Sequence, residues 1–82
     1  MKDCTELVER FRNGERTALG AVVSEIQADI YHLLLSELRN AADAEDAMQE
    51  TFRQLVTSLP TLRDPRAFAG WVYRIALDKA RQ

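Results

Sequence analysis

Asp46, Gln49, Glu50 and Arg53 follow one another at steps of three, one and three, which gathers them on one face of any helix that contains them. Two carboxylates, an amide and a guanidinium on one face can dock against another protein's helices. They can equally be a solvated face opposite Met48, Phe52 and Leu55, and periodicity does not separate the two. Further on, Phe68, Trp71, Tyr73 and Arg74 combine aromatic rings with a cation, with Arg63 and Arg66 close by. An exposed tyrosine among arginines can stack on an unpaired base, worth about 1–3 kcal/mol per base, while the arginines meet phosphates. Trp71 also shares a stripe with Phe68 and Ile75 and suits a core. Tyr73 falls about 160° from the centre of that stripe at roughly 100° per residue.

Enzyme chemistry finds little to work with. No glycine-rich phosphate loop is present, because Gly14, Gly20 and Gly70 are scattered. Cys4 is the only cysteine and His32 the only histidine, so no base–nucleophile pair, disulfide or Cys/His metal cage is expected. Cys4 reads as a bystander thiol near a mobile end, and His32 as a partly buried helix residue. Asp43, Glu45, Asp46 and Glu50 are better explained as acidic residues at a helix start than as metal ligands. The expectation is a protein that is not an enzyme, with no cofactor and no metal.

Charge is unevenly placed. Residues 1–59 carry six Lys/Arg against eleven Asp/Glu, and residues 60–82 carry five against two. A basic segment on an acidic body can mark a polyanion-facing side, or be an ordinary solvated helix. No run comes near the roughly 20 apolar residues of a membrane span, and Met1 to Glu6 lacks a signal-like apolar stretch. A cytoplasmic protein without membrane insertion is expected.

These residues must be positioned by helices, since no period-two pattern or Asn-Gly hairpin is present. The spacing predicts an all-α bundle of four helices in one domain over residues 1–82. The first helix, capped by Asp3 or Thr5, carries Leu7, Val8 and Phe11 and stops at Asn13-Gly14. Thr17 caps a second helix to about Leu38, with one apolar stripe through Leu19, Val22, Val23, Ile26, Ile30, Leu33, Leu34 and Leu38. After a break at Asn40 to Ala42, Asp43 caps a third helix whose inner face runs from Ala44 through Met48, Phe52 and Val56 to Leu59. Pro60 ends it, and Asp64-Pro65 restarts the chain into a fourth helix ending near Arg81.

Taken together, these motifs resemble the second conserved region of bacterial sigma factors of the extracytoplasmic-function (ECF) type. The resemblance rests on Asp43-Ala44-Glu45-Asp46-Ala47-Met48-Gln49-Glu50-Thr51-Phe52, on Leu59-Pro60, and on Phe68-Ala69-Gly70-Trp71-Val72-Tyr73-Arg74-Ile75-Ala76. Leu7-Val8, Gly14, Ala18-Leu19 and Ile30-Tyr31 also fit, so it covers nearly the whole chain. It implies a helical domain that binds core RNA polymerase, its third helix docking on the clamp coiled coil of the beta prime subunit through Asp46, Gln49, Glu50 and Arg53. It implies that Leu62, Arg63, Arg66, Trp71, Tyr73, Arg74 and Asp78 recognise and melt the promoter −10 element on its non-template strand, capturing an extruded base. An anti-sigma factor is a further implied partner. Many members carry asparagine seven residues after the tryptophan, where this chain has Asp78; an ionised carboxylate accepts hydrogen bonds only and repels phosphates. The usual C-terminal helix-turn-helix domain is expected to be absent from the chain. The alternative is a module that binds polymerase or an anti-sigma factor without reading DNA.

Overall fold

The long apolar stripe becomes the central helix. In the computed structural model, which describes residues 1–82, α2 spans Thr17–Leu38 and buries Ala18, Val22, Ile26, Ile30 and Leu34. Each follows the last by four residues, so the stripe advances about 40° per step around the helix. That slow spiral lets α2 face α1 (Thr5–Arg12), α3 (Ala41–Ser58) and α4 (Phe68–Ala80), all of which pack on it. The architecture is the expected all-α bundle of four helices, without strands. By length and composition α2 is long and apolar enough to cross a membrane, with a mean hydropathy of 1.2. This corrects the expectation that no run comes near a span; here that apolarity makes the bundle core.

Each helix end has a local cause. Asp3 Oδ1 accepts from the Thr5 backbone N–H at 2.9 Å and from the Thr5 hydroxyl at 2.6 Å, starting α1. At the other end Gly14 takes φ +102°. Its N–H donates to the Phe11 carbonyl, and that of Glu15 to the Arg10 carbonyl, both at 3.0 Å. These paired bonds make a Schellman turn that satisfies two orphan carbonyls. The Arg10 and Glu15 side chains pair across it. Thr17 is the first residue of α2 rather than its cap, and no side chain caps that helix.

The break before α3 is shorter than expected. Asn40 takes extended backbone and its side chain accepts from the Asp43 N–H at 2.9 Å, so Asn40 is the cap and Asp43 sits in the first turn. Pro60 lacks an N–H to extend the helical ladder, and α3 passes into a 3-10 turn over Leu59–Thr61. Asp64 then caps a second 3-10 turn, Pro65–Ala67, by accepting from the Arg66 N–H at 2.9 Å, and this turn leads into α4.

One core joins the elements. Val8, Val22, Ile26, Ile30, Leu34, Leu55, Leu59 and Val72 have no exposed surface. Thr51, the only buried polar residue, donates its hydroxyl to the Ala47 carbonyl at 2.8 Å. Cys4 corrects its expected role: it is 4% exposed, part of the core, and burial pushes its thiol pKa up. His32 is exposed rather than partly buried, beside Tyr31.

Arg39 ends α2 in the left-handed region, at φ 55°. A residue with a Cβ is strained there by about 1–2 kcal/mol, and glycine's extra freedom in the unfolded chain returns part of this. Arg39→Gly is expected to stabilise the fold by about 0.5–1 kcal/mol, raising Tm by roughly 2–8 °C. Calorimetry showing a lower Tm would contradict this account of the turn.

Candidate docking and nucleic-acid interfaces

The polar face of α3 stands clear of the bundle. Ala44, Ala47, Met48, Thr51 and Leu55 are buried and hold the helix against α2 and α4. Asp46, Gln49, Glu50 and Arg53 are all exposed, and none makes a side-chain hydrogen bond or ion pair within the chain. Four unpartnered polar side chains on a rigid, well-packed helix are free to meet an external partner without first breaking internal bonds.

Two neighbours of this ridge escape sequence reasoning. Val56, expected on the inner face, is 47% exposed. It continues the ridge from Gln49 and Arg53 by steps of four and three, and it adds an apolar contact to a polar face. Lys79 comes from α4 and lines the same groove as Asp43, Asp46 and Glu50. The signal for Val56 was its position on the Gln49–Arg53 ridge; nothing in the local pattern around Lys79 pointed to α3.

The connection from α3 to α4 is sorted by burial. Leu62 is 7% exposed and belongs to the core, so it anchors the loop and is not presented to a ligand. Arg63 is exposed and makes no ion pair, and its carbonyl accepts from Arg12 Nη1 at 3.1 Å. Arg66 is spoken for: its guanidinium binds Asp64 through two hydrogen bonds of 3.1 Å. Those bonds hold the Asp64 carboxyl below its usual range and raise the Arg66 pKa. Of the arginines expected there, Arg63 is the one with its charge uncommitted.

On α4, Phe68, Val72, Ile75 and Ala76 are buried. Trp71 is half-buried, its ring 6.0 Å from that of Phe68. Tyr73 is half-buried as well, which corrects the expectation of an exposed ring. Burial, and next the Asp29 carboxylate of α2, raise its pKa. The helix turns about 100° per residue, so Trp71 and Tyr73 lie on opposite flanks of a ridge formed by Gly70 and Arg74. Gly70, Arg74 and Asp78 are exposed. The result is a cation between two aromatic edges, with a carboxylate one turn further on.

No group of His, Cys, Asp and Glu converges into a metal cage. The chemistry on offer is recognition: hydrogen bonding and charge on α3, stacking and charge on α4 and the loop before it.

Residues 22–82 match the sigma-70 region 2 family. The chain is 34% identical over 76 residues to the RNA polymerase sigma-H factor of Pseudomonas aeruginosa, an alignment covering 93% of this chain and 39% of that protein. It is 37% identical over 76 residues to the ECF RNA polymerase sigma-E factor of Haemophilus influenzae, covering 92% and 39%. It is 29% identical over 65 residues to the RNA polymerase sigma factor SigV of Bacillus subtilis, covering 79% and 39%. The chain thus spans 39% of the length of each of these relatives. With the match running from within α2 to the last residue, the chain belongs to the sigma-70 region 2 family.

Proposed function

We propose that this chain is the part of an ECF-type sigma factor that docks on core RNA polymerase and recognises and melts the promoter −10 element. The observation that carries the reading is the separation of two uncommitted surfaces on a family member: the unpartnered Asp46–Gln49–Glu50–Arg53 face of α3, and Arg63 with the Trp71–Arg74–Tyr73 edge of α4. The first face docks on the clamp coiled coil of beta prime, with Val56 as its apolar contact. The second holds the non-template strand. Arg63 and Arg74 meet phosphates, and Tyr73 and Trp71 offer ring edges to an extruded base. Extrusion costs a few kcal/mol, which stacking offsets. Asp78 accepts a hydrogen bond from a base amino group, such as that of cytosine. Leu62 contributes by fixing the loop, and Arg66 by shaping it through Asp64. Catalysis belongs to the polymerase. An anti-sigma factor covering the same faces, in the cytoplasm, completes the proposal.

A second reading draws on the half-burial of Tyr73 and the neutralisation of Arg66 by Asp64. Both weaken the nucleic-acid face and favour a module that docks on polymerase or an anti-sigma factor without reading DNA. Single-stranded −10 oligonucleotides decide between the two. The proposal expects the parent chain to prefer −10 sequence over scrambled sequence, Tyr73→Ala to lose affinity, and Asp78→Asn to change which base is preferred. A parent with no preference, combined with an Asp78→Asn variant that acquires one, would establish the second reading.

A further inference from the structure

The α1–α2 turn brings a second group of arginines to the loop before α4. Arg12 and Arg16 line one recess together with Phe11, Gly14 and Pro60. Arg12 Nη1 reaches the Arg63 carbonyl at 3.1 Å, across 51 residues of sequence. Every other side-chain hydrogen bond in the molecule joins residues at most five apart. Arg12, Arg16 and Arg63 are exposed and make no ion pair, whereas Arg10 is held by Glu15 and Arg66 by Asp64. Asp64 is the carboxylate that feels Arg12, and its oxygens are already engaged by Arg66.

The fold gains little from these charges. Arg16 stands at the N-cap of α2, with no carboxylate in the first turn. A cation there faces the positive end of the helix dipole and is disfavoured. Arg12 and Arg16 thus bring two guanidiniums without ion pairs to the backbone of the loop that carries Arg63, on a chain whose first 59 residues are strongly acidic. The Schellman turn at Gly14 fixes their spacing. Arg12 and Arg16 both precede residue 22, where the family match begins.

We propose that Arg12 and Arg16, joined to Arg63, form a phosphate-binding site for the backbone of the DNA strand held at the loop. This rests on the nucleic-acid part of the proposed function and extends its footprint onto α1 and the start of α2. The contacts are to phosphates, so they add affinity without sequence preference. Each contact on a single strand changes the salt slope, log K against log[salt], by about 0.7, which amounts to roughly fivefold in affinity at 0.1 M salt.

The test is fluorescence anisotropy of the full 82-residue chain with labelled single-stranded −10 and scrambled oligonucleotides, over a range of salt. Arg12→Ala and Arg16→Ala are each expected to lose about fivefold at 0.1 M salt on both oligonucleotides and to flatten the slope by about 0.7. Arg39→Gly removes a charge at the far end of α2, about 33 Å away at 1.5 Å per residue, and is expected to leave the slope unchanged. Arg12→Ala and Arg16→Ala binding as the parent does, while Arg63→Ala and Arg74→Ala weaken, would overturn this site and leave the proposed function standing. A loss in Arg12→Ala with the parental slope would also overturn it, since Arg12 would then only position the loop. The Arg16 side chain makes no cap hydrogen bond, and the Arg16 carbonyl that accepts from the Leu19 N–H is kept by alanine, so Arg16→Ala is free of that ambiguity. A parent chain with no oligonucleotide affinity would overturn the nucleic-acid reading, and this site with it.

Discussion

Ile30→Ala is expected to cost about 2–5 kcal/mol of folding stability. Ile30 has no exposed surface and lies in the α2 stripe on which α1, α3 and α4 all pack. Truncation removes three buried carbons and leaves a cavity that helices on several sides must collapse to fill. For a domain of this size the total stability is about 4–12 kcal/mol, from roughly 0.05–0.15 kcal/mol per residue, so the loss is a large fraction of it. Tm should fall by roughly 10–30 °C. Urea unfolding followed by circular dichroism checks this, with the midpoint moving and the slope unchanged. Val56→Asp is the contrasting control: Val56 is 47% exposed, and the change should stay within about 0.5 kcal/mol. Ile30→Ala behaving like that control would mean α2 is not the helix that organises the core.

The second large effect concerns docking. The double substitution Asp46→Arg, Glu50→Arg is expected to weaken binding to core RNA polymerase by at least about a hundredfold. Losing one side of a desolvated charge pair costs about 2–5 kcal/mol, and a hundredfold corresponds to about 2.7 kcal/mol. Neither carboxylate has a partner in the bundle, so the fold loses little and Tm should stay close to that of the parent. Surface plasmon resonance on immobilised core polymerase reads the affinity, and calorimetry the Tm. Parental affinity in the doubly substituted chain would remove α3 from the docking face.

Local rules made most of the fold legible. The four-residue steps from Val22 to Leu34 fixed the face of α2, and Asn13-Gly14 and Pro60 marked ends that the backbone confirms in detail. Asn40 and Asp43 are both good caps, three residues apart, and the choice fell to Asn40 because its side chain accepts from the Asp43 N–H. The polar face of α3 was readable, since Asp46, Gln49, Glu50 and Arg53 lie opposite residues that are buried. Val56 was misplaced because the four-residue step from half-buried Phe52 carries it about 40° further round the helix, off the inner face and onto the side of Gln49 and Arg53. Tyr73 was misjudged because α2 covers one flank of α4, and no pattern within α4 announces that. Arg66 lost its expected freedom to Asp64, two residues before it, through bonds that depend on the shape of the 3-10 turn. The convergence of Arg12 and Arg63 spans 51 residues and exists only in three dimensions.

The central claim is that one small helical domain docks on polymerase through α3 while holding a −10 strand at α4 and the loop before it. The most direct measurement is the affinity of a labelled non-template −10 oligonucleotide for core RNA polymerase, with and without the chain at saturation. The account predicts that the complex binds the oligonucleotide at least about tenfold more tightly than polymerase or chain alone, because the two surfaces act together. An oligonucleotide affinity of polymerase that the bound chain leaves unchanged would contradict it.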